Sequence, residues 1–216
     1  MTFATYQELV DDVQKVLART SVEFVGMMPS FMVMAEARIY GGFGSPGDPL
    51  YSPPLRVREM ETTADSAITA GVGGLPGDFL ACRAVRRDGD TYGLDFLPPA
   101  QFWPLSNVLT TGDANTFTIE GSNIYLIPQA FTGTLKILYH REFAPLSPSI
   151  QSHDLLTNHG PIFAAAMRSE GASFIRNDSV MSLEAQRCAS LIKAANRISH
   201  AQRYPGRMQM GMRPIG

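Results

Sequence analysis

The pattern of hydrophobic and polar positions at the start of the chain predicts two amphipathic helices. Apolar residues recur with helical spacing over residues 6–19, directly after a Thr5-x-x-Glu8 capping box, whose two side chains bind free N–H groups of the first turn. A second helix is predicted to begin at Pro29, because proline fits the first turn of a helix, and to end at Gly41-Gly42. Each helix has one apolar face that must be covered by other elements.

Between residues 55 and 141 the pattern changes to the alternation typical of β-strands. The candidate strands are 55–60, 79–87, 91–96, 116–120, 123–128 and 135–141. Short turn signals separate them, such as Asp88-Gly89-Asp90 and Gly121-Ser122-Asn123, and predict antiparallel hairpins rather than parallel crossovers. We interpret the Gly-rich stretch from Gly71 to Gly77 as a turn and residues 98–103 as a short helical turn.

The helical period returns in the last third of the chain. Pro161 is expected to open a helix, and Asn177-Asp178-Ser179 to end it and cap the next one. The last helix is predicted to run to about Arg203, where Tyr204-Pro205-Gly206 breaks it. The residues that follow show no period.

Helices at both ends with strands between them indicate an α+β fold. We expect the terminal helices, in residues 1–45 and 145–203, to close into one discontinuous helical bundle. An antiparallel β-domain, residues 50–144, is inserted between them, and residues 204–216 form an extended C-terminal interaction tail.

The composition is that of a globular protein with no membrane segment. With 44% hydrophobic residues among 216, the chain can build a core, and no apolar stretch reaches the ~20 residues that span a bilayer. Glu8, Asp11 and Asp12 argue against a signal peptide. The two cysteines, Cys82 and Cys188, are far apart, which excludes a disulfide framework and suits a reducing compartment.

Charge is distributed unevenly along the chain. The net charge of −2 combines −8 over residues 1–184 with +6 over residues 185–216, a stretch without Asp or Glu. Three of the 11 methionines alternate in the tail, at positions 208, 210 and 212. Flexible thioethers beside arginines suit an adaptable surface for a partner, including a strand added to a partner's sheet. A solvated helix face with a frayed end is the alternative interpretation.

The sequence contains no recognisable catalytic or metal-binding motif. It has neither a phosphate-binding loop nor a nucleophile elbow. His153 and His159 are six residues apart, which favours capping and packing over a shared metal. Asp88-Gly89-Asp90 favours a turn over a calcium loop, and both cysteines are expected to be buried structural thiols. We therefore expect no enzyme activity, no cofactor and no metal.

Several segments, in order along residues 5–200, resemble the head-to-tail connector (adaptor) proteins of tailed bacteriophages, in particular podovirus-type tail accessory proteins. They are Pro29–Ile39, Arg58–Thr63, Leu75–Leu80, Ile119–Ile124, Ile137–Arg141, Leu155–His159 and Ala164–Met167. The first is similar to the family's second helix and three others to its strands. Leu75–Leu80 resembles its Leu-Pro-x-Asp-Phe segment, and the last two resemble the entry to its C-terminal helix pair.

This resemblance implies a structural virion protein without catalytic activity. It implies a ring, usually of twelve copies, that connects the portal vertex to the tail and lets DNA pass. The implied partners are the portal protein, nozzle or tail-tube proteins and further copies of the chain, with DNA only in transit and no membrane. The implied location is the virion neck, and the host cytoplasm during assembly.

Three other classes stay open at this point. The first is another neck or tail-completion protein, which would also assemble as a ring. A small nucleic-acid-binding protein would explain the basic tail, although the predicted strands lack interleaved aromatic and basic residues. An enzyme would need a convergent set of catalytic groups, which the sequence does not present.

The end of the last helix and the tail are the predicted portal-binding or partner-binding site. This segment contains cations, an aromatic ring and thioethers, and it is too short to form a core of its own. The residues are Arg197, His200, Arg203, Tyr204, Arg207, Met208, Met210, Met212 and Arg213.

Overall fold

The computed structural model describes residues 3–203, and over that range the chain has an α+β fold. The helices are α1 (Tyr6–Leu17), α2 (Val22–Gly26), α3 (Met28–Gly41), α4 (Pro99–Ser106), α5 (Asp154–Phe174) and α6 (Asp178–Arg203). The strands are β1 (Glu61–Thr69), β2 (Val72–Gly74), β3 (Phe79–Arg87), β4 (Asp95–Phe96), β5 (Thr116–Glu120), β6 (Asn123–Ile127) and β7 (Gly133–Arg141). The predicted class is confirmed.

The chain divides into two compact units. The helical unit comprises Met1–Glu59 and Ala144–Gly216, and the sheet unit comprises Met60–Phe143. The predicted tail, residues 204–216, lies outside the described residues.

The start of α1 follows the predicted capping box. The Thr5 hydroxyl accepts a hydrogen bond from the Glu8 N–H at 3.3 Å, and the Glu8 carboxylate accepts one from the Ala4 N–H at 2.7 Å. Both bonds satisfy donors that the first turn of a helix leaves free. Sequence chemistry alone therefore places this helix start.

Helix α5 is central to the helical unit, where it packs against α1, α3 and α6. Several of its buried residues are small, including Ala164, Ala165 and Ala166, which allows neighbouring helices to approach closely. At Gly171 an added Cβ would lie 2.8 Å from Leu17 Cδ1, a contact that needs something to move. The small side chains of α5 therefore set the distance to α1.

A buried charge network joins three of these helices. Arg168 of α5 donates to both carboxylate oxygens of Asp12 in α1, each at 2.8 Å, and its Nη1 lies 3.7 Å from Glu184 of α6. The side chains of all three are 9% exposed. A bidentate arginine–carboxylate pair is among the stronger protein hydrogen-bonding arrangements, so its geometry fixes the helices in one register.

A second network extends this connection to α3. Arg38 lies 2.9 Å from Glu170 and donates to the Ser169 hydroxyl, which donates in turn to the Met181 carbonyl of α6. Three successive residues of α5, 168–170, thus contact α1, α3 and α6.

The sheet unit contains one mixed sheet in the order β3-β7-β1-β2-β6-β5-β4. Its longest ladder pairs β1 with β7 from Glu61↔His140 to Ile68↔Gly133. The core on this sheet consists of Ile68, Val85, Ala114, Phe117, Ile124, Leu126, Leu135, Ile137 and Tyr139. Alternating side chains from five strands supply most of this core.

The predicted strand at residues 55–60 is wrong. Residues 55–57 have no regular structure, Arg58–Met60 form a 3₁₀ turn, and the strand begins only at Glu61. Leu55 and Val57 are buried, so the alternation is real, but it belongs to an extended segment within the helical unit. β1 itself has few apolar residues, and this explains why its pattern was not recognised.

The prediction of antiparallel hairpins is correct for β5–β6 and for β1–β2, whereas the other consecutive strands do not pair as hairpins. β4 pairs with β5 in parallel, with α4 as the connection between them. β6 and β7 are joined by a short linker but are not neighbours, because β1 and β2 lie between them. Of the Gly-rich stretch, Ala70 and Gly71 form the turn at positive φ, and Val72–Gly74 is strand β2.

The predicted start of the helix at Pro161 is wrong. α5 begins at Asp154 rather than at Pro161, with the His153 Nδ1 accepting the Leu156 N–H at 3.0 Å. Pro161 lies inside the helix, two residues after a kink at His159. The missing N–H of proline explains why the helix bends there instead of starting there. The short helix α2, capped by Ser21, was not predicted.

We expect Arg168→Met to destabilise the protein by about 3–5 kcal/mol, because it leaves the buried Asp12 carboxylate without its cation and removes one of the two cations beside Glu184. Arg187→Met is the matched control, since Arg187 lies 3.7 Å from the same Glu184 but its side chain is 54% exposed. The control should cost less than about 1 kcal/mol. Urea unfolding followed by circular dichroism measures both, and equal losses would show that the buried network does not stabilise the helical unit.

Candidate partner-binding surface

Three of the predicted partner-binding residues lie near the C-terminal end of α6. Arg197 and His200 are exposed there, and Arg203 is the last residue of the helix. The remaining predicted residues, Tyr204, Arg207, Met208, Met210, Met212 and Arg213, lie outside the described residues. The structure thus shows where the tail leaves the helical unit, while the binding role of these nine residues stays a prediction.

The other side of this part of α6 is buried. Ile192 and Ser199 are buried, whereas Ile198 is 56% exposed. The apolar residues of α6 therefore continue beyond the part of the helix that other elements cover. An exposed apolar side chain at the end of a helix is available for contact with another segment.

An extended segment is bound along α6 by one side chain. The Asn196 amide accepts the Arg56 N–H at 2.7 Å and donates to the Pro54 carbonyl at 2.9 Å. Arg56 in turn donates to the carbonyl of Tyr40 at 2.9 Å, which links the segment to the end of α3. Since these backbone groups have no sheet partner, the asparagine takes over the role that a neighbouring strand would have.

This arrangement leaves an open groove beside α6, which we call the α6 groove. Its volume is about 350 Å³. The lining residues come from the extended segment, the kinked start of α5 and the last three turns of α6. They are Val57, Glu59, Asn158, His159, Pro161, Ile162, Leu191, Ala194, Ala195, Ile198, Ser199 and Gln202.

The α6 groove has an apolar lining with a few polar groups. His159 Nε2 lies 3.7 Å from Glu59 Oε2, and the side chains of these residues are 18% and 37% exposed. His153 acts as the helix cap and packs against the Phe163 ring, as capping and packing predict, but His159 lines the groove instead. The kink before Pro161 places it there.

The thiols do not have the properties of nucleophiles. Burial raises the pKa of both Cys82 and Cys188 to about 11, so that each is a neutral thiol at physiological pH. Cys188 is fully buried, as predicted, whereas Cys82 is only partly buried. Among residues 3–203 no cluster of three metal-ligating side chains occurs. None of the helices described over that range is long and apolar enough to cross a membrane.

The sheet unit has a separate open pocket with a volume of about 660 Å³. Outward-facing residues of β1, β3 and β7 line it, including Asp65, Arg86 and Lys136. Nearby in the same sheet the Tyr139 hydroxyl donates to Asp78 at 2.7 Å, and burial together with this bond raises the tyrosine pKa to about 12. The tyrosine is therefore a neutral hydrogen-bond donor in the sheet.

A family model for SU10 adaptor proteins matches residues 4–213. The chain belongs to this family. The resemblance to the head-to-tail adaptors of phages is thereby confirmed. No curated protein matches the sequence.

Family membership makes this protein a phage adaptor with a structural role in the virion, and such a family interacts with portal and tail proteins in general. Structural adaptor families of phages are generally non-enzymatic. The matched range reaches residue 213 and so includes the basic, Met-rich end of the chain.

We expect Asn196→Ala to release the extended segment from α6, because it leaves the Arg56 N–H and the Pro54 carbonyl without their partner. Hydrogen exchange at the Arg56 amide should accelerate by about tenfold or more, since an unsatisfied buried polar group costs roughly 1–3 kcal/mol. Arg197→Ala, an exposed neighbour on the same helix, is the control. Unchanged exchange in Asn196→Ala would show that other contacts hold the segment.

Proposed function

We propose that this adaptor forms a ring of twelve copies that seats on the portal vertex, receives the tail and lets DNA pass. The observation that carries the proposal is the family match, which spans nearly the whole chain. A ring of this kind uses one heterologous interface, repeated until it closes. Each copy then needs separate surfaces for its neighbours, the portal and the tail.

The helical unit has exposed apolar side chains, and these support a contact in which the helices of neighbouring copies pack side by side. Val33 and Met34 of α3 and the adjacent Phe43 are 61%, 43% and 45% exposed. Arg38 stacks over the Phe43 ring at 4.4 Å and gives this surface a polar edge. Contact with a second copy would remove these residues from water.

The portal contact, in this proposal, is made by the end of α6 and the tail. Arg197 and His200 are exposed directly before the tail, and the last 32 residues carry +6 against −8 for the rest of the chain. Arginine forks bind carboxylates with defined geometry, so a basic arm suits an acidic docking site on the partner. The acidic remainder of the chain suits a channel wall that does not hold DNA phosphates.

Deletion of residues 204–216 should abolish assembly onto the cognate portal without unfolding the rest of the protein. The double variant Arg197→Ala with His200→Ala should weaken assembly by about tenfold, the effect of ~1.4 kcal/mol of lost contact. Native mass spectrometry of the protein, alone and mixed with the portal, measures the number of copies bound. Arg187→Ala is the control for an exposed cation ten residues earlier on α6.

A full-length protein that stays free in the presence of its portal would overturn the adaptor ring. Binding that survives the deletion would overturn the role of the tail only. Thermal melting by circular dichroism distinguishes both outcomes from a failure to fold.

A nucleic-acid-binding function is favoured by the basic tail alone and is tested separately. We expect the full-length protein to bind duplex DNA more weakly than about 10⁻⁵ M at physiological salt, because the tail offers few phosphate contacts. Fluorescence anisotropy at several salt concentrations measures this affinity. Tight binding that falls steeply with salt would favour the nucleic-acid function over a passive channel.

A further inference from the structure

The α6 groove lies beside the point where the described chain ends. Gln202 lines the groove, and α6 ends one residue later at Arg203. Thirteen more residues follow, 204–216. The tail is therefore joined to the chain directly beside the groove.

The first residues after α6 have the sequence of a reverse turn. In Tyr204-Pro205-Gly206-Arg207 proline and glycine occupy the two central positions. This pair is typical of a type II turn, because proline presets the first central φ and glycine accepts the positive φ of the second. In a turn of this type the chain reverses its direction.

The length of the tail fits the length of the groove. The residues of α6 that line it form one stripe from Leu191 to Gln202, eleven residues apart, or about 17 Å at 1.5 Å per residue. An extended segment covers about the same distance with five residues at ~3.3 Å each. Met208–Met212 has that length, and alternation places its three methionines on one side.

The chemistry of the two surfaces is also complementary. Leu191, Ala195 and Ile198 give the groove an apolar floor, which suits flexible methionine side chains. Glu59, the carboxylate of the groove lining, is partly exposed at its edge, and Arg207 and Arg213 flank the methionines. A segment tethered one turn away also has an effective concentration in the millimolar range, so weak contacts suffice to hold it.

We propose that in the free protein residues 207–213 fold back antiparallel to α6 and fill the α6 groove, with Met208, Met210 and Met212 on its apolar floor. The occupant is the chain's own tail. This inference concerns the protein before assembly and does not depend on the proposed portal contact.

Methionine oxidation in the full-length protein tests the proposal. Trypsin releases Met208–Gly216 as one peptide, because the Arg213-Pro214 bond resists cleavage, and this peptide contains the three tail methionines and no others. After timed exposure to hydrogen peroxide, mass spectrometry measures their oxidation rate. We expect Ile198→Arg, which places a cation in the groove, to raise this rate by about fivefold over the natural sequence.

Leu183→Arg is the matched control, because Leu183 is a similarly exposed apolar residue of α6, at 63%, and is outside the groove. It should leave the rate unchanged. A second variant, Pro205→Ala with Gly206→Ala, removes the turn without altering any described residue and should raise the rate as Ile198→Arg does. It keeps the test valid if Ile198→Arg fails to fold.

Tail methionines that oxidise in the natural sequence as fast as in the synthetic peptide 204–216 would overturn the proposal. Protection that falls on dilution would also overturn it, since that would identify a second copy's tail as the occupant. All measurements use the protein without portal, so the portal-binding experiment can fail or succeed independently.

Discussion

The buried Arg168 guanidinium, between Asp12 and Glu184, is the interaction on which the helical unit depends. One cation faces two carboxylates in an environment with little water, so removal of the guanidinium would leave buried charge uncompensated. The bidentate bond to Asp12 fixes α5 against α1, and the adjacent Ser169 and Glu170 fix α5 against α3 and α6. Apolar packing alone would tolerate sliding between these helices, because it has no direction. The polar network removes that freedom and so fixes α6 against α5.

The position of α6 in turn creates the surface at which function is proposed. Asn196 binds the extended segment before Arg58 along the helix, and this segment supplies one wall of the α6 groove. The kink of α5 at His159 supplies another wall. In the first feature, a side chain binds backbone groups that would pair with a strand in a sheet. In the second, Pro161 lacks the N–H that would continue the helical hydrogen bonds. The groove thus results from two local departures from regular structure, held in place by the register of the helices.

A structural adaptor has to combine a stable body with surfaces that accept partners. Here the two requirements are separated along the chain. The helical and sheet units have their own cores, whereas the positive charge and the alternating methionines are concentrated at the C-terminal end. Contacts of such an end can change during assembly at little cost to the stability of the body, because the two cores lie in other parts of the chain.

The sequence by itself determined the α+β class, the capped start of α1, the helical C-terminal pair and the buried thiol at Cys188, because each of these follows from local chemistry or a strong period. It also carried the family resemblance that the match over residues 4–213 confirmed. Only the tertiary structure decided that Leu55 and Val57 alternate without a sheet, that β4 and β5 run in parallel and that His159 lines a groove. Period-two burial is the same in a strand and in an extended segment packed on helices, and strand order depends on pairings distant in sequence. Local patterns therefore identify elements, while the contacts between distant residues decide their neighbours.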